Sequence, residues 1–315
     1  MAPTTDSESD VHQLQELVDT IIFVDVDGVL NVGIQDDGNA PILLKTNELQ
    51  LARELCAAGY TGPEADTARR ICALASHAAD NLITFEALAS QDHLSKVLLG
   101  RLSTLIEEAG NNCHVVLSSS WRKRQHVGRR KLLEDGLAQC LGRPFAFDGV
   151  TGLLLPERHA GHRLAAIRLY LSEFAQKDLL AADCKVIVLD DFFLSPIAGW
   201  ECGSSRISDV MEAEAYLAEA VTSYTHAVGV KILHCYAEIA TGGFSLQVGI
   251  GLSGSLLEEA KQFLNPLTSC HVESAELVKP PPSAPSVMKE GAWSKFIQLF
   301  DAAFVPPTTP VLWVV

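Results

Sequence analysis

Ile21-Ile22-Phe23-Val24-Asp25-Val26-Asp27-Gly28 decides how the rest of the chain is read. Four apolar residues follow one another without a polar alternate, the pattern of a strand buried on both faces. The run stops abruptly at two carboxylates and a glycine. Two later stretches repeat the design. Cys113-His114-Val115-Val116-Leu117 runs into Ser118-Ser119-Ser120-Trp121-Arg122, and Lys185-Val186-Ile187-Val188-Leu189 runs into Asp190-Asp191. Amphipathic helical patterns separate these strands. His93 to Ala109 places Leu94, Val97, Leu98, Leu102, Leu105 and Ile106 on one side, and Leu164 to Phe174 is a second such helix. Buried strands alternating with helices predict a three-layer α/β domain: a parallel sheet with helices on both faces.

In open parallel sheets, ligands bind beyond the carboxyl ends of the strands. If the three strands are neighbours, Asp25/Asp27, Ser118/Ser119 and Asp190/Asp191 converge there. These residue types suit phosphoryl transfer. A phosphate ester repels a carboxylate nucleophile, and Mg²⁺ held by hard oxygen ligands neutralises both partners. The expected metal set is Asp25, Asp27 (through a nearby backbone carbonyl), Asp190 and Asp191. Asp25 would then form an aspartyl-phosphate. Asp27 would protonate the leaving oxygen and later activate water. Gly28 allows a sharp turn beside the site. Ser118 is the expected donor to a phosphoryl oxygen, with Ser119 as its rival; Ser118 could instead cap the following helix.

Phe23-Val24-Asp25-Val26-Asp27-Gly28-Val29-Leu30-Asn31 resembles the first motif of the haloacid dehalogenase (HAD) superfamily. Val115-Val116-Leu117-Ser118 resembles its second motif and Val188-Leu189-Asp190-Asp191 its fourth. More narrowly, Asp-Val-Asp-Gly-Val-Leu-Asn, Val-Leu-Ser-Ser-Ser-Trp-Arg and Leu-Asp-Asp resemble the HAD domains of Swiss-army-knife RNA-repair proteins. Gly251-Leu252-Ser253 with Leu256-Leu257-Glu258-Glu259-Ala260 is similar to that family's closing helix. The resemblance implies a Rossmann-like sheet, a Mg²⁺ requirement, phosphatase activity and a third motif carrying Lys or Arg. Related domains place Arg-Gly-x-Glu-Ile before the fourth motif. Here Arg163-Leu164-Ala165-Ala166-Ile167 stands there, so Arg163 inherits the role without the Gly and Glu, and Arg158 is the fallback. Those domains also carry Thr-Asp shortly before Gly-Leu-Ser; here Leu246-Gln247 occupy that place.

The chain is 315 residues long, 48% hydrophobic, 20% charged, and carries a net charge of −15, which disfavours general nucleic-acid binding. One segment runs against that charge. Trp121 to Lys131 holds six of the 24 Lys and Arg residues, directly after the second motif. It reads either as a solvated helix face or as a grip on a phosphate-rich substrate, with Arg122 and Lys123 as substrate contacts. Trp121 reads as a core anchor or as a platform for a base. The eight cysteines form no CxxC pair, so zinc-ribbon and redox spacings are absent and a reducing compartment, cytoplasm or nucleus, is expected. His159 and His162 lack the partner spacing of a zinc site. No apolar run is long enough to cross a membrane, and the acidic first residues do not resemble a secretory signal.

The expected organisation is a disordered or short helical N-terminus (1–19, with Val11 to Asp19 helical), a HAD-like domain (20–266), and a Pro-rich linker and tail (267–315). Pro280-Pro281-Pro282 and Pro285 mark the linker, and Trp293, Phe296, Ile297 and Phe300 a helical pattern in the tail. Two insertions are expected. One, at 33–90, opens in a loop at 33–41, carries helices at about 45–58 and 64–79, and stands where this superfamily places a cap. The other, at 192–243, contains strand-like Val228 to Leu233; Phe244 to Val248 follows it, and a closing helix spans Ser255 to Leu264. The function expected is a Mg²⁺-dependent phosphomonoesterase acting on a small molecule or a polynucleotide end. A catalytically weak binding module is the alternative.

Overall fold

The computed structural model describes residues 17–36, 40–80, 83–152, 160–192, 194, 200–202, 205–222, 228–241 and 243–266. The expectations for residues 1–10, for the linker and tail, and for Arg158 and His159 lie outside them. In chain order the elements are β1 (Val18–Val24), β2 (Gly33–Ile34), β3 (Ile42–Leu43), α1 (Thr46–Ala57), α2 (Ala65–Ala75), α3 (Phe85–Leu88), α4 (Lys96–Glu108), β4 (Cys113–Leu117), α5 (Val127–Leu141) and β5 (Gly149–Val150). There follow α6 (Ala160–Gln176), β6 (Leu180–Asp190), β7 (Trp200–Cys202), β8 (Ser205–Ile207), α7 (Val210–Thr222), β9 (Gly229–His234), β10 (Tyr236–Thr241), β11 (Phe244–Gly249) and α8 (Gly254–Leu264).

Five strands form the parallel sheet in the order β5-β4-β1-β6-β9. The chain builds outward from β1 to β4 and β5, then crosses back to lay down β6 and β9 on the other side. The order therefore reverses at β1, and the crevice for a ligand opens beside its carboxyl end. The apolar runs explain why β1, β4 and β6 take the centre. Ile21 to Val24 and Val186 to Leu189 are wholly buried. Ile22, Val24, Val115, Leu117, Ile187 and Leu189 pack on one face with residues of α4, α5 and α8. Ile21, Phe23, Val116, Val186 and Val188 pack on the other with α6 and α7. Each fully buried aliphatic or aromatic side chain contributes roughly 1.5–3 kcal/mol, so this double burial holds the strand ends firmly.

A second sheet, ordered β10-β11-β2-β3, is antiparallel and stands beside the site. It corrects the reading of the first insertion as purely helical. α1 and α2 fall where expected, but Gly33–Ile34, read as loop, pairs with β11 more than 200 residues along the chain. Two-residue strands carry no periodicity of their own, so only the distant partner defines them. The stretch 192–243 is also more than an insertion, because β9 is the edge strand of the main sheet and α7 supplies Ala213, Leu217 and Val221 to its core. At the N-terminus, Val18 and Asp19 are strand rather than helix: the Val18 amide donates to Leu179 O (2.8 Å) and the Asp19 amide to Asn112 O (3.2 Å). Among the described residues no helix is long and apolar enough to cross a membrane.

Candidate active site

Backbone hydrogen bonds carry the parallel ladder one residue past the strand ends. The Asp25 amide donates to Leu189 O (3.0 Å), the Ser118 amide to Val24 O (2.8 Å) and the Thr151 amide to Leu117 O (3.1 Å). Asp190, Asp25, Ser118 and Thr151 therefore stand side by side at one level, on four adjacent strands. All four are buried: 0%, 1%, 2% and 2% exposed.

Asp25, Asp190 and Asp191 bring one carboxylate oxygen each within 4.8 Å of one another. Arg163 enters from the first turn of α6, which begins above the carboxyl edge because the helix runs back against the strands. Its Nη1 donates to Asp25 Oδ2 and to Asp190 Oδ1 (2.5 Å), and lies 3.8 Å from Asp191 Oδ1. One guanidinium among three carboxylates leaves two negative charges uncompensated. Burial chiefly, and Asp25 after it, drives Asp191 well above the carboxylate range. Burial also pushes Asp190 up to about 6, against the pull of Arg163. Asp190 Oδ1 accepts from Arg163 and from the Phe192 amide (2.9 Å), whereas its buried Oδ2 has no hydrogen-bond partner. A divalent cation fits this donor set: hard oxygens only, a surplus charge of two and an orphaned carboxylate oxygen.

Gly28 shapes the floor of this cluster. It sits at φ +80°, and a Cβ on it would lie 2.0 Å from Asp191 Oδ2. Any side chain there would expel the carboxylate, so glycine lets Asp191 approach as well as letting the backbone turn. Gln35, just past β2, donates Nε2 to Asp191 O (2.6 Å) and to Asp191 Oδ2 (3.1 Å). The second sheet thus reaches into the site through one amide.

Asp27 faces elsewhere. The metal role expected of it runs through a nearby backbone carbonyl, and its side chain lies outside the three-carboxylate group. Asn31 Nδ2 donates to its Oδ1 (3.2 Å) and Trp121 Nε1 to its Oδ2 (3.0 Å). Burial, followed by the Asp25 charge, raises its carboxyl above the usual range despite these donors. Trp121 is 1% exposed and packs in the core with Leu133 and Leu137 of α5, with Arg129 over its ring at 5.8 Å. It is the core anchor of the two readings, with the further task of holding Asp27.

The hydroxyls divide their labour. Ser119 Oγ accepts from the Trp121 amide (3.4 Å), capping the turn that starts at Ser120. Ser118 Oγ is buried without a partner. Arg122, expected to touch substrate, is turned inward. Its Nη1 donates to Ser118 O (3.0 Å) and Ser119 O (2.6 Å), and its Nη2 to Gly152 O (3.4 Å). Three carbonyls at the ends of two strands outcompete solvent for a planar cation. Lys123 lies half-buried at the end of the same turn, and His162 is on α6 one residue before Arg163.

The family model of the HAD domain in Swiss Army Knife RNA repair proteins matches residues 21–202, from β1 through β7. The chain belongs to this family. No curated protein and no solved structure matches it. The match takes in every residue of the buried cluster. Beyond the match, the described elements from β8 to α8 supply the last strand of the main sheet and half of the second sheet.

Asn31, Gln35, Trp121 and Thr151 were not singled out for these contacts in the sequence. Asn31 carried a signal, its fixed place three residues after Gly28; Gln35 and Thr151 carried none.

Proposed function

We propose that this HAD domain is a Mg²⁺-dependent phosphomonoesterase. The observation that carries the reading is the convergence of Asp25, Asp190, Asp191 and Arg163 with the orphaned Ser118 hydroxyl at the switch point of the sheet. Asp25, Asp190 and Asp191 would hold Mg²⁺, which supplies charge neutralisation for an anionic ester approaching carboxylates.

The chain's own groups then divide the chemistry. Asp25 attacks phosphorus through its carboxylate, and the bond from phosphorus to the leaving oxygen breaks as the aspartyl-phosphate forms. Asp27, whose raised pKa favours the protonated form, gives its proton to that oxygen. It afterwards takes a proton from the water that releases phosphate. Ser118 Oγ, with no internal partner, donates to a phosphoryl oxygen, and Arg163 Nη1 holds Asp25 and carries positive charge beside the transferred group. The missing Gly and Glu of the third motif, the long insertions and the aromatic tail favour the binding-module alternative. The contacts of Arg163 with Asp25 and Asp190 support the enzyme despite that loss.

A polynucleotide end is the more specific substrate reading. Arg129, over the Trp121 ring that holds Asp27, favours it, because phosphates flanking the scissile one would meet a cation there, and Lys123 ends the turn that carries Trp121. The test is hydrolysis of p-nitrophenyl phosphate with Mg²⁺, compared with Asp25→Asn. Turnover that falls on the order of 10³-fold or more in the variant supports the nucleophile. No turnover by the folded protein on a broad phosphate panel returns the binding module. Lys123→Ala with Arg129→Ala should weaken turnover of a phosphorylated oligonucleotide and spare the small ester; equal loss on both argues for a small substrate.

A further inference from the structure

We propose that Thr151 is a second phosphate-binding hydroxyl, working beside Ser118 on the side of the site away from the carboxylates. The inference rests on the phosphomonoesterase reading above.

Thr151 follows β5, which has only two residues, yet its place is fixed as firmly as that of Ser118. The amide bond to Leu117 O holds it level with Ser118, one strand further out. Side chains at one level of a parallel sheet point to the same side. Its Oγ1 is buried and, like Ser118 Oγ, has no hydrogen-bond partner. A buried hydroxyl without a partner costs about 1–3 kcal/mol, and a valine would fill the same volume without that penalty. Two such hydroxyls on neighbouring strand ends, in one domain, need a reason.

The spacing supplies one. Adjacent strands lie about 4.8 Å apart, and O–H donors reach acceptors at about 2.7–2.8 Å. Two hydroxyls so placed can both donate to oxygens of one tetrahedral phosphoryl group. Arg122 adds an independent support, since its guanidinium bridges the carbonyls of Ser118 and Ser119 to that of Gly152. One side chain therefore fixes the loop bearing Ser118 against the loop bearing Thr151. The row then runs from anionic to neutral: Asp190 and Asp25 face the cation, and Ser118 and Thr151 face the phosphoryl oxygens.

The experiment compares Thr151→Val and Thr151→Ser in the full chain. Two quantities are read: turnover of p-nitrophenyl phosphate with Mg²⁺, and the thermal shift produced by inorganic phosphate plus Mg²⁺. Thr151→Val should lower kcat/KM about tenfold, the size of one neutral hydrogen bond. It should also shrink the phosphate-induced shift while leaving the melting temperature of the free protein unchanged or higher. Thr151→Ser, which keeps the hydroxyl, should retain activity within about twofold. Unchanged kcat/KM and an unchanged phosphate shift in Thr151→Val overturn the inference. So does a fall in melting temperature that accounts for the lost activity, because the hydroxyl would then be structural. Failure of the parent reading looks different: the wild-type protein would show no Asp25-dependent turnover at all.

Discussion

The two halves of the strand-end row obey opposite electrostatics. At the junction of β1 and β6, three buried carboxylates crowd one guanidinium, and Asp190 and Asp191 are driven toward their protonated forms. At the junction of β4 and β5, the buried groups are neutral hydroxyls, and the arginine there, Arg122, is spent on carbonyls. The same sheet edge thus presents buried carboxylates on one pair of strands and unpartnered buried hydroxyls on the next pair. The lesson is that an arginine's role follows from its neighbours. Arg163 and Arg122 carry the same charge, but the first donates to the buried carboxylates of Asp25 and Asp190 and the second to the carbonyls of Ser118, Ser119 and Gly152.

The comparison breaks most visibly at Arg163. Arg163→Met should abolish most turnover and destabilise the metal-free protein by about 3 kcal/mol, the low end for an orphaned buried charge because Arg163 keeps 32% exposure. Urea denaturation measures it; a loss no larger than that of Arg122→Met would erase the contrast between the two arginines.

The next effect in size is thermal stabilisation by Mg²⁺. Saturation near 100-fold over Kd contributes about 2.7 kcal/mol, or roughly 5–10 °C for a domain of this size. The ion needs ionised carboxylates, and the Asp190 carboxyl is pushed up to about 6. Protons therefore compete with the ion as pH falls, so the shift should be much larger at pH 8 than at pH 5. A shift of equal size at both values would detach the metal from this cluster.

Trp121→Phe gives the smallest and most selective effect. It removes the donor to Asp27 Oδ2 while keeping an aromatic ring. Turnover of alkyl phosphates, whose leaving oxygen needs a proton, should fall about tenfold, and that of p-nitrophenyl phosphate should change little. A uniform loss on both would mean that Trp121 acts only through packing.

Legibility in the sequence tracked the length of the apolar run. β1, β4 and β6 announce themselves because strands buried on both faces must be apolar at successive positions, so Asp25, Ser118 and Asp190 are found by what precedes them. Thr151 follows Gly149-Val150, too short to signal a strand, and was passed over. Gln35 sits at the edge of a Gly- and Asp-rich stretch and gains meaning only when β2 pairs with β11. Trp121 was visible as a core residue, but its partner Asp27 is 94 positions away.

By itself the sequence determined the three-layer α/β class, the three central strands and the identity of the acidic and hydroxyl residues at their ends. It did so because burial imposes composition locally, residue by residue. Tertiary structure alone decided which strands are neighbours, that Arg163 reaches the carboxylates of Asp25 and Asp190 while Arg122 bridges strand-end carbonyls, and that Asp27 turns from the cluster toward Trp121. Those outcomes depend on register and on the competition of distant groups for one charge, and neither leaves a trace in local spacing.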